Sequence, residues 1–417
     1  MSDLPAGWKE TTLGEIASLV TKGTTPTSLG FQFQSSGIPF VKIENIKDWK
    51  INKSSIADFI SSECHEALKR SQLAEGDVLF SIAGTIGKTA LVDKDSIPAN
   101  TNQAVAIIRG TSNVILPRVL MLQLAFIAKE VASKNARGGA MNNISLGDVK
   151  SLTLSIPPLD EQKRIVEKLD SLLTRVDSCE RHLERVPQIL KRFRQSVLAA
   201  ATSGRLTEEW REENSVNGEW ETVALGELCK NSFYGPRFGK NEYTKSEKGV
   251  PTIRTTDMTV DGKIEVTEDT PKVLVPVNKL ELYRVHKGDL LVTRTGSIGV
   301  MAVFEDDYIA IPSAYLIRFR FSSRILPRYV FYCLMSPYGQ QQLGLSTRAI
   351  TQPNVNAESI KKIDIQLPSL EEQAEIVRRV ENLFAYAERL EARYLSASER
   401  VARLTPSLLA KGFRGEL

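Results

Sequence analysis

Two long stretches, one in each half of the chain, carry an apolar or small residue at alternating steps of four and three. The first stretch carries Ile165, Leu169, Leu172, Val176, Cys179, Leu183, Val186, Leu190, Phe193 and Val197. The second carries Ile376, Val380, Leu383, Ala387, Leu390, Tyr394, Ala397, Val401, Leu404 and Leu408. This spacing, sustained over several heptads, predicts two long helices with coiled-coil seams.

Polar residues indicate where these helices begin, and prolines indicate where they are disturbed. Asp160 is a suitable N-cap for the first helix, and Ser369 with Glu372 forms a capping-box pattern before the second. Pro187 and Pro406 lie inside the two patterns, at places that are not equivalent. Because an interior proline costs a helix about 3 kcal/mol, we expect a kink or a break near each.

The chain is one unit of about 210 residues written twice, a period too long for a solenoid. Short motifs recur in the same order in both copies: Trp8-(4)-LGE and Trp220-(4)-LGE, GIPFVKIEN (37–45) and GVPTIRTTD (249–257), ILPR (115–118 and 325–328), IPPLDEQKRIV (156–166) and LPSLEEQAEIV (367–377), SVLAAATSGRL (196–206) and SLLAKGFRGEL (407–417). Before its helix, each copy mixes short β-rich runs with glycine and proline turns, a pattern typical of a compact α/β domain.

These patterns predict an α+β (mixed) protein in which two similar globular α/β domains are separated by two long antiparallel helices. The antiparallel arrangement follows from a pseudo-twofold axis between two matched seams within one chain. A dimerisation rod between two chains is the alternative explanation of the seams. The predicted segments are 1–157 (first domain), 158–206 (first helix), 207–219 (linker), 220–367 (second domain) and 368–417 (second helix with a tail).

The motif GTIGKT, within GDVLFSIAGTIGKTALV (76–92), raises the question of a nucleotide-binding loop. A Walker-type loop requires GxxxxGK[ST], and Ile82 stands where its first glycine should be. The second copy reads GDLLVTRTGSIGVMAVF (288–304), with Val300 at the lysine position. Both copies keep the glycine pair and a small hydroxyl residue, which predicts a tight turn after a strand rather than a phosphate site.

Composition limits the remaining possibilities without choosing among them. The 417 residues are 42% hydrophobic and 25% charged, with a net charge of +4, values that permit nucleic-acid binding but do not argue for it. No signal peptide or membrane span is recognisable, and the four cysteines are far apart. We therefore expect free thiols and a cytoplasmic location.

Catalytic patterns are weak throughout. The three histidines are scattered and suggest neither a metal cluster nor a triad, and no methyltransferase motif such as [DN]PP[YF] occurs. Glu161-Gln162-Lys163 could end a nuclease ExK motif, but the second copy has Ala374 at the lysine position. Carboxylates beside a helix N-terminus explain this pattern better. We expect no catalytic residues and no metal site.

The duplicated P-[PS]-L-[DE]-E-Q and SVLAAATSG/SLLAKGFRG motifs and the GD[VL]L…G[ST]IG turn resemble the specificity (S) subunit of Type I restriction–modification systems. The resemblance covers essentially the whole chain. It implies that each globular domain is a target recognition domain for one half of a bipartite, gapped site in double-stranded DNA. It also implies that the helices set the gap and dock two methyltransferase (M) subunits, that restriction (R) subunits join the complex, and that this chain is not an enzyme. S-adenosylmethionine, ATP and Mg²⁺ are then expected on the partner subunits.

The rival hypothesis is a coiled-coil adaptor with no DNA role.

A DNA reader needs cations for phosphates, and amides, guanidiniums and hydroxyls for base edges. Backbone anchoring is expected from Lys42, Arg137, Arg254 and Arg348. Weaker candidates for base contacts are Asn102, Gln103, Asn142, Thr255, Asp257, Arg294 and Gln352. Further polar candidates in the same loops are Asn45, Asn143, Arg237, Ser297 and Asn354.

Overall fold

The computed structural model of this protein describes residues 4–135, 143–216, 218–294, 299–344 and 356–417. The chain forms two compact units. The first comprises Met1–Glu184 and Ser396–Leu417, and the second comprises Arg185–Leu395. Each unit combines an α/β domain with segments from both long helical regions. The predicted class, mixed α and β with an internal duplication, is confirmed.

The first unit contains eleven strands among its described residues. They are β1 (Lys9–Thr12), β2 (Leu19–Lys22), β3 (Ile38–Val41), β4 (Ile46–Lys47), β5 (Lys50–Ile51), β6 (Phe59–Ile60), β7 (Val78–Ser81), β8 (Thr89–Leu91), β9 (Asn100–Thr101), β10 (Val105–Arg109) and β11 (Thr153–Ile156). Its α-helices are α1 (Leu13–Ile16), α2 (Ser62–Ala67), α3 (Pro117–Asn135), α4 (Leu146–Lys150) and α5 (Leu159–Leu183).

The second unit has ten strands and eight α-helices among its described residues. Its strands are β12 (Glu221–Ala224), β13 (Cys229–Tyr234), β14 (Tyr243–Thr244), β15 (Val250–Ile253), β16 (Lys272–Val273), β17 (Leu290–Thr293), β18 (Met301–Val303), β19 (Ile311–Pro312), β20 (Leu316–Phe321) and β21 (Asp364–Leu367). Its α-helices are α6 (Val186–Thr202), α7 (Glu208–Glu213), α8 (Leu225–Leu228), α9 (Val277–Tyr283), α10 (Pro327–Met335), α11 (Pro337–Gln342), α12 (Ala357–Lys361) and α13 (Leu370–Phe413), whose last turns belong to the first unit.

An antiparallel four-stranded sheet forms the centre of each domain. Its strand order is β2-β10-β7-β8 in the first unit and β13-β20-β17-β18 in the second. Both faces are covered, so that Val78 and Phe80 pack toward α3 and α5 while Leu79 and Ile107 pack into a second cluster on the opposite face. Alternate residues of a strand point to opposite faces, which explains why all four residues of β7 are buried.

The first long helix is interrupted, as its proline predicted, whereas the second is not. The single helix expected over 158–206 is two helices, α5 and α6, and Pro187 lies in the first turn of α6, where a missing N–H costs little. Pro406 instead lies within an unbroken α13, so a break there was the wrong expectation. Leu409 and Phe413 are buried in the core of the first unit, and this packing holds the turns beyond the proline.

The predicted helix starts differ in one case. Helix α5 begins at Leu159 after an N-cap at Pro158, so Asp160 lies in the first turn and is not the cap. In α13 the Ser369 hydroxyl accepts a hydrogen bond from the Glu372 backbone N–H at 3.2 Å. The Glu372 side chain, however, bonds to Trp220, Thr207 and Arg211 rather than closing a capping box.

Within each unit the two helical segments run in opposite directions. In the second unit Arg194 of α6 pairs with Glu391 of α13 at 2.8 Å, while Arg379, earlier in α13, donates to the Leu206 carbonyl, later in the chain than α6. In the first unit Leu169 of α5 lies against Gly412 near the end of α13. Residue numbers therefore increase along one segment in the direction in which they decrease along its neighbour, which is an antiparallel arrangement.

Of the twenty seam positions, eight are buried, ten are intermediate, and Cys179 and Leu404 are exposed. Ile165, Leu169, Val176, Ile376 and Val380 are buried, and Leu172, Leu183, Leu383, Leu390 and Tyr394 are intermediate. Ile165 and Leu169 also pack against the α/β domain, in one core with β7, β10 and α3. Leu173, which the predicted seam does not include, belongs to the same core, whereas its neighbour Leu172 is only partly buried. The apolar stripe on α5 thus serves as a domain-packing face as well as a helix–helix contact.

Candidate nucleic-acid interface

In the first unit, three chain segments meet at one edge of the central sheet: residues 23–25, 84–87 and 102–104, here called the first edge. The Gly23 N–H donates to the Val105 carbonyl at 3.3 Å, and the Thr24 N–H donates to the Thr101 carbonyl at 3.2 Å. The Ile82 N–H, just before the glycine turn, donates to the Ala104 carbonyl at 2.8 Å. Backbone hydrogen bonds therefore fix the loops while leaving several polar side chains at the surface.

The corresponding edge of the second unit is formed by residues 234–237, 313–315 and Arg294, here called the second edge. The Gly235 N–H donates to the Leu316 carbonyl at 2.9 Å, and the Arg294 N–H donates to the Tyr315 carbonyl at 3.0 Å. These bonds match those of the first edge in position, so the two edges are built on the same backbone plan.

A glycine is required where two segments of each edge touch. A Cβ atom at Gly23 would lie 2.0 Å from the Thr101 carbonyl oxygen, and one at Gly235 would lie 1.9 Å from the Ser313 carbonyl oxygen. Both distances are far below van der Waals contact, so any side chain would push the segments apart. The edges therefore depend on close backbone approach.

The motif GTIGKT forms a tight turn, as predicted. Gly84 and Gly87 have φ values of 67° and 90°, in the left-handed region. The Ser81 hydroxyl donates to the Thr85 carbonyl at 2.6 Å and accepts from the Lys88 N–H at 2.8 Å. The Lys88 ammonium donates to the Ile43 carbonyl at 3.2 Å. The lysine of the apparent phosphate motif thus serves the fold by binding the neighbouring 42–45 turn.

Arg294 is held over an aromatic ring at the second edge. Its guanidinium carbon lies 5.3 Å from the centre of the Tyr234 ring, within the range of a cation–π contact. Tyr234 is 41% exposed and Tyr315 is 63% exposed. Arg237, in the same loop, is exposed as well. A planar cation and exposed rings offer groups that can hydrogen-bond to base edges and stack on nucleotides.

The candidate residues Asn45 and Asp257 have a different role from the predicted one. Asn45 is 3% exposed; its Oδ1 accepts from the Lys42 N–H at 2.8 Å and its Nδ2 donates to the Ser55 carbonyl at 2.8 Å. Asp257 is 6% exposed and accepts from the Arg254 N–H at 2.7 Å. Both side chains close the same short turn, one in each unit. Because both side chains are buried and bonded within the protein, we do not count them among the edge residues proposed to contact DNA.

The two cations of these turns are partly engaged within the protein. The Lys42 ammonium lies 2.6 Å from an Asp58 carboxylate oxygen. Arg254 lies 2.8 Å from Asp257, and this hydrogen bond raises the pKa of the Arg254 guanidinium. To contact a DNA phosphate, Lys42 would have to bind it together with Asp58 or leave Asp58, and the same holds for Arg254 and Asp257.

The other described candidates occupy several places. Asn102 and Gln103 lie on the first edge, where the Asn102 Oδ1 accepts from the Ala104 N–H at 3.1 Å and Gln103 hydrogen-bonds to the Thr25 hydroxyl. Asn143 is exposed and forms a β-bridge with Ala83, beside the glycine turn. Thr255 is half-buried in the turn closed by Asp257. Arg137, Asn142, Ser297, Arg348, Gln352 and Asn354 lie outside the described residues.

Sequence reasoning missed Tyr315 and undervalued Tyr234. Tyr234 belongs to the basic aromatic loop YGPRFGK, and its neighbour Arg237 was selected instead. Tyr315 is equivalent to Ala104, because the carbonyl of each accepts a hydrogen bond from the residue just after the preceding central strand. That residue is Arg294 in the second unit and Ile82 in the first. A strand-by-strand alignment of the two copies would have exposed this replacement of a small residue by an aromatic one.

Two negative findings concern the described part of the chain. Within it, no three His, Cys, Asp or Glu side chains are grouped so that they could hold a metal ion. None of the helices found there is both long enough and apolar enough to span a membrane. His65, next to Cys64, is instead hydrogen-bonded through Nδ1 to the Asn100 side chain.

Comparison with known proteins identifies the family. The family model for the type I restriction modification DNA specificity domain matches twice, over residues 5–188 and 217–397. The chain therefore belongs to the type I restriction–modification specificity family. The two matches confirm the duplication inferred from the short motifs.

Named relatives match over nearly the whole chain. The StySPI specificity subunit of Salmonella potsdam is 32% identical over 99% of this chain and 90% of its own length. The EcoBI specificity subunit of Escherichia coli is 30% identical over 98% and 86%. Among solved structures, a chain from a type I R-M system has a TM-score of 0.76 at 22% identity, covering 100% of both chains. The HsdS subunit of Thermoanaerobacter tengcongensis has a TM-score of 0.63 at 22% identity, covering 99% of this chain and 98% of its own. These two structures share the fold.

Proposed function

We propose that this chain is the DNA specificity subunit of a type I restriction–modification complex. Each α/β domain, assigned to residues 1–157 and 220–367, reads one half of a bipartite, gapped site in double-stranded DNA. The helical regions, assigned to 158–206 and 368–417, set the gap and dock two methyltransferase subunits. Restriction subunits complete the assembly.

The observation that carries this proposal is the pair of edges. They share one backbone plan, yet they present different side chains: Thr25, Asn102 and Gln103 on the first edge, and Tyr234, Arg237, Arg294 and Tyr315 on the second. Amides, hydroxyls and guanidiniums distinguish base pairs by their donor and acceptor patterns. Two edges with different groups should therefore read two different half-sites.

The role that we propose for this chain is recognition without catalysis. Methyl transfer and DNA cleavage then require S-adenosylmethionine, ATP and Mg²⁺ on the partner subunits. The edges supply hydrogen-bond donors, acceptors and aromatic faces, which suit DNA contact. An adaptor with no DNA role would not require edges that diverge in this way.

Mapping methylated bases in cells tests the proposal. The chain is expressed with the methyltransferase subunit encoded beside it, and with that subunit alone as the control. We expect methylation at two unlike half-sites separated by a fixed gap, only when both proteins are present. An unchanged methylome, with the two proteins folded and associated, would overturn the proposal in favour of an adaptor.

A further inference from the structure

Several motifs repeated in both halves of the sequence lie away from the edges, at the place where each domain meets its own helix. The glutamine of the repeated motif P-[PS]-L-[DE]-E-Q is central to this junction. Gln162 is 0% exposed. Its Oε1 accepts from the Leu116 N–H at 2.8 Å, and its Nε2 donates to the carbonyls of Val114 at 3.0 Å and Pro157 at 2.9 Å.

The second unit repeats this arrangement atom for atom. Gln373 is 0% exposed, its Oε1 accepts from the Leu326 N–H at 2.7 Å, and its Nε2 donates to the carbonyls of Arg324 at 3.1 Å and Pro368 at 2.9 Å. In both units one carboxamide therefore ties the first turn of the long helix to the loop before the domain helix α3 or α10. A primary amide suits this position because it accepts and donates at once.

The arginine of the repeated ILPR motif provides a second attachment. In the first unit the Arg118 guanidinium lies 2.5 Å from the Asp170 carboxylate on α5 and 5.7 Å from the centre of the Trp49 ring. Trp49 is at the tip of the β4–β5 hairpin and has a φ of 61°. A non-glycine residue in this region is strained, which indicates that surrounding contacts hold the hairpin tip in place.

In the second unit Arg328 occupies the same position with a different set of contacts. It donates to the Gly262 carbonyl at 2.9 Å, lies over the rings of Phe331 and Tyr332, and is 3.8 Å from Glu381 on α13. Gly262 lies in the turn between Thr259 and Lys263, which corresponds to the Trp49 hairpin. The arginine again connects the domain helix, a hairpin tip and an acidic residue of the long helix.

The two attachments are separated along the long helix by the same distance in both units. Gln162 and Asp170 are eight residues apart, as are Gln373 and Glu381. At about 1.5 Å per residue this spacing is roughly 12 Å. The apolar core between these points, at Ile165 and Leu169 or at Ile376 and Val380, joins the domain to the helix without direction-specific bonds. Two polar attachments along the same axis add directional contacts at both ends of this core.

We propose that Gln162 with Arg118, and Gln373 with Arg328, are positioning residues that hold each recognition domain in one direction on its own helix and so make the complex selective for gap length. This inference rests on the proposed function. It assigns gap selectivity to the domain–helix junction in addition to helix length. The identities of the bases read would depend on the edges and not on these residues.

The test measures methylation by the assembled complex on duplexes that keep both half-sites and vary the gap by one base pair in either direction. The variants are Arg118→Met, Asp170→Asn and Gln162→Leu. Arg175→Met is the matched control, because Arg175 lies on α5 with Gln162 and Asp170 and its side chain is exposed. A second set of duplexes carries one altered base pair in a half-site, which reports base selectivity separately.

For the three variants we expect the preference for the natural gap to fall about fivefold, equivalent to about 1 kcal/mol. Selectivity between half-site bases and the melting temperature of the Arg118 and Asp170 variants should stay near those of the wild type. Arg175→Met should leave both selectivities unchanged. If Gln162→Leu fails to fold, the partly exposed Arg118–Asp170 pair decides the question alone.

Folded variants that keep the wild-type gap preference would overturn the inference and leave the junction a purely structural feature. Loss of gap and base selectivity together would also overturn it, because the residues would then act through general stability. Failure of the proposed function gives a different result: the wild-type complex would methylate no gapped site, whatever the state of the junction.

Discussion

The edges of the two units are alike in backbone and unlike in side chains. At equivalent positions, Ile82 of the first unit is replaced by Arg294 in the second, and Ala104 by Tyr315. The Ile82 N–H donates to the Ala104 carbonyl in the first unit, and the Arg294 N–H donates to the Tyr315 carbonyl in the second. A fixed backbone with exchangeable side chains allows a surface to change its ligand without changing the fold.

The domain–helix junctions show the opposite behaviour. Gln162 and Gln373 make the same three hydrogen bonds, and Trp8 and Trp220 donate from their indole N–H to Glu161 and Glu372 at 3.1 and 3.0 Å. The unchanged pairs Gln162/Gln373, Trp8/Trp220 and Glu161/Glu372 thus join a domain to its helix, whereas Tyr315, which replaces Ala104, is exposed at an edge. This contrast separates residues that position a domain from residues that select a ligand.

Exchanging a whole domain tests this contrast with the largest expected effect. Residues 1–155 are replaced by the equivalent segment of another member of the family, with Gln162 and α5 retained. We expect one half-site to change completely while the other half-site and the gap stay as they were. The edge moves with the domain, Gln162 and Asp170 remain on α5, and the donor segment is chosen to carry the ILPR motif that supplies the other side of the junction. Methylome sequencing provides the measurement. A change in both half-sites would contradict the separation of roles.

Removing one side chain from the second edge should have a smaller effect. We expect Arg294→Ala to reduce discrimination at one base pair of one half-site by about tenfold, the size of a single base contact. The other half-site should be unaffected. Binding of duplexes with single base-pair changes measures this effect, and Lys279→Ala, at an exposed position on α9, is the control. If the variant instead binds all duplexes more weakly by the same factor, with a reduced salt dependence, Arg294 contacts a phosphate and not a base.

The smallest effect concerns Glu375, a carboxylate near the start of α13 that pairs with Arg378 and Arg379 of the same helix. Hydrogen bonds from Arg378, and to a lesser extent Arg379, lower the pKa of Glu375 from 4.5 to about 2, while burial acts in the opposite direction. The equivalent position in the first unit is Arg164. A carboxylate with a lowered pKa stabilises the folded state above its unfolded pKa, and this contribution is lost as the pH falls through the folded value.

Glu375→Gln should therefore lower the free energy of unfolding at neutral pH and reduce its decline between pH 4.5 and about 2. Urea unfolding of wild type and variant across this range measures the difference. Glu371→Gln, at an exposed position in the first turn of the same helix, is the control. If the free energy of unfolding depends on pH equally in the wild type and in Glu375→Gln, the ion pairs of Glu375 with Arg378 and Arg379 do not contribute to stability.

Much of this architecture could be predicted from the sequence, because repetition supplied an internal comparison. The duplicated motifs revealed two copies of one unit, and the loss of the lysine at Val300 ruled out a phosphate loop. The apolar spacing identified both helical regions. These features depend on local backbone requirements and on the period of a helix, which residue order alone records.

The residues of the candidate site were harder to predict. Polar residues that look alike in the sequence differ in whether the tertiary structure buries or exposes them. Asn45 and Asn102 look alike in the sequence, but Asn45 is buried by the Ser55 segment while Asn102 stands at an edge. Tyr315 follows a strand like many core aromatics, yet it is 63% exposed. Burial depends on which distant segments pack together, so a local pattern does not contain it.

Sequence alone thus determined the duplication, the helical regions, the glycine turn and the family resemblance. Tertiary structure decided that Pro187 coincides with a helix break whereas Pro406 lies in a continuous helix. It also placed two glutamines, far along the chain from the loops they bind, at the centre of the domain–helix junctions. The physical reason is the same in each case: hydrogen bonding and packing between segments distant in sequence outweigh the local preference of a single residue.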